Sequence, residues 1–502
     1  RQEGGASTPE ADLGAWKEQL GHPFRYLVPP DYPVVGSLDL DRPIFDYDIP
    51  NEPLLGLLPP CRKHFDFCPT TWGVEAYHRS FEKFHYASPV DFEEEYPICT
   101  AFADWAWRVH YSFLEDTSVI HITATDKNVQ STPAYPKMLD YSSEEEFLNH
   151  FGWLPYVEAF SRVDNGYNPP VLWYCFLKKE ILKRSKVDEQ DIRQIVCADP
   201  IYARIGACFE QQQNERCKRN TEHRSGQCGW NPFSGGFERM CRRLNSKQGY
   251  FVEFDWTRFD GTIPTQLFKR IKQLRFSMLR TEHQQRYSHV YRWYVRNLLH
   301  RYVLMPSGEV TIQKRGNPSG QISTTIDNNM LNYWVQAFEF CYFFGPDKDL
   351  WADYDTVVYG DDRLSRYPLI PFDYKNRVIK MYKDVFGMWV KPEKVHISDT
   401  LVGLTFCGFT ISEDFQPYPT QCEKLFAGLV TPAKTLPDLE SLHGKLLSLQ
   451  LLMHNHPDCE FKDYLDHCLA TTSVLCPRLP PRLTARQMDK LWRGGPKHSP
   501  YG

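Results

Sequence analysis

Three short stretches concentrate side chains able to do metal-assisted chemistry. The first is EFDWTRFDGTIP, where Asp255 closes a β-like run and Asp260 follows five residues later, at the turn into a helix beginning near Pro264. An acid at the end of a strand is anchored by the sheet and aimed outward, as a ligand of fixed position requires. The second is TVVYGDDRLS: residues 356–359 read as a strand, Gly360 and Asp361 as a tight hairpin turn, and Arg363 and Leu364 as the start of the return strand. Adjacent carboxylates at a hairpin tip, Asp361 and Asp362, repel each other unless a cation sits between them. Mg2+ prefers hard oxygen ligands shared between carboxylates and phosphates. Asp255 and Asp361, with Asp362 in support, therefore read as holders of two Mg2+ ions about 4 Å apart, which would activate an attacking hydroxyl and stabilise a leaving phosphate. A lone GDD is an ordinary polar turn; the strand-end acid pair beside it changes that balance.

The third stretch is GNPSGQISTTIDNNMLN. Gly316, Pro318 and Gly320 read as a mobile loop ahead of a helix, and Thr324 and Asn328, four apart, share one helix face. A hydroxyl and an amide beside Asp260 suit a ribose 2′-hydroxyl, the group that separates RNA from DNA precursors. The plainer alternative is N-capping by Ser323 or Thr324, with Asn328 merely exposed.

The elements that must position these groups follow from periodicity. Helices are expected at 144–151, 264–279, 324–342, 374–386 and 439–453, and β-rich runs at 250–255, 356–359 and 401–411. Strand, helix, helix, hairpin, helix and a last β element from about 250 to 411 give an α+β core between flanking regions. The Pro-rich first 60 residues read as an arm laid over a surface, and the Pro- and Arg-rich stretch after Pro477 as flexible.

Composition narrows the class. The chain has 502 residues, 42% hydrophobic and 24% charged, the profile of a multi-lobed soluble protein. The net charge of −5 argues against coating a nucleic acid. Basic residues nevertheless gather at Lys178–Lys186, at Arg216–Arg224 and from Lys269 to Arg301, as in a basic channel inside an acidic shell; solvated helix faces are the alternative. Fifteen cysteines without a CxxC pair give no zinc ribbon; Cys61, His64 and Cys68 have the wrong spacing for the common fingers. The absence of a signal peptide suggests reduced thiols in the cytosol. No apolar run reaches the roughly 18 residues that span a bilayer, and no GxxxxGK[ST] loop supports a P-loop NTPase or helicase.

DWTRFD, PSGQISTTIDNN and YGDD, in this order and spacing, resemble motifs A, B and C of the palm of positive-strand RNA virus RNA-dependent RNA polymerases, and the wording is most similar to that of the astrovirus polymerases. LKKEILKRSKVDEQDIRQI resembles motif F, which implies phosphate contacts for Lys178 and Arg193 and a tunnel lined by Lys183 and Lys186. STPAYP (131–136) resembles motif G, with Ala134 where the family often has Gly. FGMWVKPEKV resembles motif D, whose lysine is proposed to protonate pyrophosphate; Lys394 matches best and Lys391 is the rival. FCGF (406–409) resembles the primer-grip motif E.

The resemblance implies a closed right hand with an antiparallel palm sheet: arm and fingers at 1–249, palm at 250–270 and 318–415, a fingers insertion at 271–317, and thumb and C-terminal tail at 416–502. It implies RNA-templated RNA synthesis by a two-metal mechanism with Mg2+, for which Mn2+ substitutes. Asp260 and Asn328 would select the ribose, and Ser319, Gly320 and Thr324 would shape the nucleotide pocket. Expected partners are the RNA template and product duplex, nucleoside triphosphates, a genome-linked protein primer and other viral replication proteins, at membrane-associated complexes in the host cytoplasm. A reverse transcriptase would need to admit deoxyribonucleotides, which Asp260 and Asn328 oppose. A non-catalytic RNA-binding protein of the same fold should lack some metal ligands, and all are present.

Overall fold

The computed structural model describes residues 26–38, 40, 54, 56–61, 65–87 and 89–495. His64, and with it the Cys61–His64–Cys68 group, lies outside the described residues, as does most of the acid-rich stretch 39–53.

At the centre is a four-stranded antiparallel sheet of β11 (Trp389–Ser398), β6 (Tyr250–Thr257), β10 (Asp362–Tyr367) and β9 (Asp355–Tyr359), in that order. Val252, Phe254 and Trp256 of β6 are buried while the intervening Glu253 and Asp255 are not, the period-two alternation of a strand with one wet face. β10 is buried from Arg363 to Tyr367. Its Arg363 is charged and fully buried. It pairs with Glu339 of the Thr324–Phe344 helix at 2.8 Å, donates to the Tyr382 hydroxyl at 3.0 Å and lies 4.1 Å from the Phe254 ring. Tyr374 and Tyr382 donate to the same Glu339 carboxylate, at 2.8 and 2.7 Å. A buried ion pair survives only when its remaining lone pairs and protons are satisfied in this way.

The Thr324–Phe344 helix is buried from Ile326 to Cys341, so it packs on all sides: the sheet on one, the Pro97–His110 helix on another. A mixed sheet, β1 (Gly36–Ser37), β8 (Glu309–Gln313), β7 (Arg301–Leu304), β3 (Leu172–Leu177) and β5 (Gln194–Ala198), lies to one side, with β3 and β7 parallel. The strand β4 (Ile181–Lys183) pairs with β2 (Phe67–Pro69). The hairpin β12 (Thr405–Phe406) and β13 (Phe409–Ile411) continues into β14 (Pro417–Pro419).

The helices Cys422–Val430, Leu439–Met453 and Cys459–Leu475 share a separate core. The early segment crosses onto it, with Phe65 against Phe426 at 4.8 Å and Tyr464 donating to the Pro59 carbonyl at 2.8 Å. Of the Pro-rich arm, residues 54 and 58–59 among the described ones touch this core.

Three expectations change. The stretch after Pro477 is not loose throughout: Thr484 and Gln487 form a capping box for the Ala485–Arg493 helix, and Trp492 is buried against Phe233 with its indole donating to the Leu451 carbonyl at 2.8 Å. Much of the basic run 269–301 lines no channel. Lys272, Arg275 and Arg301 are buried, Arg270 pairs with Asp104 and Glu93, and Arg286 pairs with Asp164. The run 374–386 is an α-helix only to Met381 and continues as one π-helical turn, Tyr382–Phe386.

Glu339→Ala would strand the Arg363 guanidinium beneath the sheet. Such a loss costs about 3–5 kcal/mol, so the variant should unfold at markedly lower urea; an unchanged urea transition would contradict the role given to this pair.

Candidate active site

The register of the central sheet brings the acids together. Arg363 pairs with Phe254 and Asp362 with Tyr359; one step beyond Arg363–Phe254, Asp255 stands beside Asp362, the first residue of β10, while β6 runs on to Thr257 against β11 rather than stopping at Asp255 as expected. Between β9 and β10 the chain reverses over Gly360 and Asp361, and Gly360 takes φ +62°, which a glycine adopts without strain. No atom crowds a Cβ there, so conformation alone demands the glycine. The turn is clamped from below: Gly360 N–H donates to Asn329 Oδ1 at 2.7 Å, and Asn332 Nδ2 donates to the Gly360 carbonyl at 3.1 Å. The far edge of β9 is held by Val358 N–H on the Ser225 carbonyl, 2.8 Å, and Gln227 N–H on the Val358 carbonyl, 2.9 Å. Sequence reasoning missed Asn329 and Asn332, although the asparagine run in TIDNNMLN, on a helix built largely of apolar residues, was a signal.

The electrostatics show how unfavourable the cluster is without a cation. Burial, then the charges of Asp361, Asp255 and Glu253, push the Asp362 carboxyl up to about 7; a backbone N–H from Cys407 opposes the shift. Asp361 is likewise raised, first by burial and then by Asp255, with Arg193 opposing. Asp255 is turned toward Lys394, whose Nζ lies 3.4 Å from Oδ2. Lys394 reaches it because β11 bulges between Val390, opposite Trp256, and Val395, opposite Phe254. Motif D is therefore a strand, which the sequence reading did not assign.

Among the described residues no three His, Cys, Asp or Glu side chains already converge on an ion. The donor set nonetheless fits a hard divalent cation: only carboxylate oxygens, adjacent on a rigid sheet end, each raised acid resisting its own charge. Asp255 and Asp361 both keep solvent-exposed surface, although the surrounding protein desolvates the Asp361 carboxyl, so side-chain rotation on a fixed backbone is what binding would require.

Next to the acid cluster the structure brings Asp260 and Asn328 together, Asn328 Nδ2 donating to Asp260 Oδ1 at 2.7 Å. Burial, then Asp361, raises the Asp260 carboxyl to about 6, with Asn328 and Arg193 holding it down. The Thr324 hydroxyl is spent on its own loop, at 3.0 Å from the Pro318 and Gln321 carbonyls. Ser323 makes no N-cap bond; its Oγ donates to Glu210 instead, 2.9 Å. Ser319 is exposed, with Oγ donating to the Gln194 carbonyl at 3.3 Å. The 316–320 loop, expected to be mobile, is pinned by Gly316 N–H on Ile263 O, Asn317 N–H on Asp260 O and Gly320 N–H on Val196 O. A Cβ on Gly320 would stand 2.5 Å from Val196 O and 2.7 Å from Cys197 Cβ, so this glycine is required by close approach to β5.

The motif F residues separate. Arg193 is close enough for Asp361 and Asp260 to raise its basicity, while Glu180 takes its guanidinium in a fork, Oε2 at 2.8 Å and Oε1 at 2.6 Å. Lys178 is partly buried, which lowers its pKa, as do Arg193, Lys434 and Lys424 nearby. Lys183 is exposed on β4, and Lys186 is exposed on the Arg184–Asp188 helix, near the Lys83–Asp191 pair. The motif E turn, Cys407–Gly408, has both residues at positive φ, as a two-residue hairpin requires. Glu253 of β6 tethers it by accepting from Thr405 N–H at 2.6 Å.

The raised acids predict a linked pH dependence. A carboxyl held near 7 in the fold and near 3.9 in the unfolded chain stabilises the metal-free protein in acid, and that contribution is lost as pH rises through about 7. Mg2+ binds the ionised set and so offsets the loss over the same range. The rise in melting temperature on adding Mg2+ should therefore be larger at about pH 8 than at about pH 6; equal rises would contradict the assignment.

A model of the viral RNA-dependent RNA polymerase family matches residues 155–472. The non-structural polyprotein 1AB of human astrovirus 5 is 57% identical over 495 residues, 97% of this chain and 35% of the polyprotein. That of ovine astrovirus 1 is 50% identical over 516 residues, 98% of this chain and 38% of the polyprotein. The chain thus spans about a third of the length of these curated relatives. The solved Sicinivirus 3Dpol RNA dependent RNA polymerase superposes with a TM-score of 0.71 at 16% identity, covering 91% of this chain and 98% of that one, so the α+β fold is a polymerase right hand. With the motif order, the fold and the family model in agreement, the chain belongs to the viral RNA-dependent RNA polymerases.

Proposed function

We propose that the RNA-templated RNA synthesis of this family runs here by two-metal nucleotidyl transfer, with Asp255 and Asp361 as metal ligands, Asp362 in support, Mg2+ as the ion and Mn2+ as its substitute. The observation that carries the reading is the register that sets Asp255 of β6 beside Asp362 at the start of β10, with Asp361 at the turn. Divalent metal is what the family generally uses; when bound, such ions promote attack by a 3′-hydroxyl and neutralise charge on departing pyrophosphate.

The chain's own residues do the rest. Arg193 offers a planar fork to triphosphate oxygens, exchanging Glu180 for the nucleotide. Lys178 adds positive charge beside it, with Lys183 and Lys186 along the same approach. Lys394, at 3.4 Å from Asp255, is the better placed of the two motif D lysines to hand a proton to pyrophosphate, and supports that role over Lys391. Asp260 and Asn328 meet the ribose 2′-hydroxyl, and Ser319, Gly320 and Thr324 shape the loop beneath the nucleotide. We assign arm and fingers to 1–249 with an insertion at 271–317, palm to 250–270 and 318–415, and thumb to the remainder. RNA template, product duplex and nucleoside triphosphates are the partners this reading requires. A genome-linked protein primer and membrane-associated sites organised by other viral proteins remain part of the proposal; no helix among the described residues is long and apolar enough to cross a membrane.

Asp361→Ala should abolish templated incorporation, with a loss of at least about a thousandfold when an electrostatic centre is removed; near-normal synthesis would refute the metal assignment. Asp260→Asn and Asn328→Ala should instead relax the preference for ribonucleotides over deoxyribonucleotides, measured as the ratio of kcat/KM for the two sugars on one RNA template. An unchanged ratio would remove these residues from sugar reading.

A further inference from the structure

Behind Asp260 and Asn328 lies a buried string of side-chain amides. Asn328 Oδ1 accepts from Asn317 Nδ2 at 2.9 Å, and the same Nδ2 donates to the Thr324 carbonyl at 3.2 Å. Asn317 Oδ1 accepts from Gln321 Nε2 at 3.0 Å, and Gln321 Nε2 also donates to Asp327 Oδ2 at 2.8 Å. Gln321 Oε1 accepts the Ser323 N–H at 2.8 Å. The string ends in charge: Lys272 Nζ lies 2.6 Å from Asp327 Oδ2 and Arg275 Nη1 lies 2.8 Å from Oδ1, and both cations also face Glu210. Asn317 and Asp327 are fully buried, and Asn328 and Gln321 are less than a tenth exposed.

A side-chain amide has donors at one end and an acceptor at the other, in nearly the same shape, so either orientation fits its hole and only the partners choose between them. Asp327 decides for the whole string. Clasped by two cations, it presents lone pairs only, so Gln321 must turn its NH2 toward it. The second hydrogen of that NH2 then requires Asn317 to turn its oxygen toward Gln321. The Asn317 NH2 is thereby left facing Asn328, whose own NH2 must point at Asp260. Reversing any member would set oxygen against oxygen in a buried site, where unmade hydrogen bonds are expensive. The backbone closes the loop, Asn317 N–H donating to the Asp260 carbonyl at 2.8 Å.

We propose that Asn317, Gln321 and Asp327 are positioning residues for sugar discrimination: they fix the polarity of the Asn328 amide, and through it the orientation of Asp260, so that Asp260 Oδ2 faces the ribose. This rests on the assignment of Asp260 and Asn328 to the sugar. None of the three touches the nucleotide. Their effect passes through Asn328.

The test uses the full chain on an RNA primer–template, with kcat and KM measured for ATP and dATP. Asn317→Asp still accepts from Gln321 but opposes an oxygen to Asn328 Oδ1, so Asn328 turns over and confronts Asp260 with its own oxygen. The ribose-to-deoxyribose ratio of kcat/KM should fall about tenfold, the worth of one well-placed hydrogen bond. Gln321→Met, which keeps the volume and removes the link to Asp327, should lower the ratio in the same direction and is the variant read if Asn317→Asp does not fold. A structural role alone would depress both sugars equally. If the ratio holds in these variants while Asn328→Ala lowers it, the relay is overturned and the sugar assignment stands. If Asn328→Ala also leaves the ratio unchanged, the sugar assignment fails and the relay with it.

Discussion

Three carboxylates at one end of a sheet repel one another, and the rest of this structure is arranged so that they stay there. The sheet cannot release them: β6 and β10 are paired over five successive residues below Asp255 and Asp362, and β9 returns from the same turn. Beneath Asp362, the Arg363–Glu339 pair bolts the strand to the central helix. The same helix grips the turn through Asn329 and Asn332, and the primer-grip hairpin sends a backbone N–H to Asp362. The energy of packing and buried hydrogen bonding is thus applied against electrostatic repulsion, which is how a site is kept preorganised for a cation.

The charge distribution follows from this. A net charge of −5 looked wrong for a partner of RNA. Many of the cations from Lys269 to Arg301 are already paired, Lys272 with the buried Glu210 and Asp327, Arg270 with Asp104, and Arg286 with Asp164 at the surface. What faces the acid cluster is local: Arg193 within the fields of Asp361 and Asp260, and Lys178 near Lys424 and Lys434. Polarity around the acid cluster is therefore set by a few placed groups rather than by the balance of the whole chain.

The sequence carried the parts of this site that have short-range signatures. Asp255 was legible because it stands on an alternating strand, although that strand runs on to Thr257; the Gly360–Asp361 turn because only a two-residue reversal suits YGDD; and the 144–151 and 439–453 helices because their apolar spacing is regular. The resemblance to polymerase motifs then tied the segments together. Illegible were contacts made across long separations: the bulge that carries Lys394 to Asp255, the clasp of Asn329 on Gly360, and the string from Asp327 to Asp260. The mobile loop expected from Gly316 and Gly320 was misread because glycine serves close approach as well as freedom; at Gly320 the neighbour is the backbone of β5. The basic run 269–301 was ambiguous for a similar reason, since residue type does not reveal which charges are paired.

We propose that Asp255 and Asp361, remote in sequence, share cations. Anomalous scattering from crystals soaked in Mn2+, with template, primer and an unreactive nucleotide bound, tests it most directly. The expected result is manganese peaks between Asp255 and Asp361, with Lys394 withdrawn from Asp255 Oδ2. Manganese bound elsewhere while the Lys394–Asp255 pair stays closed would contradict it.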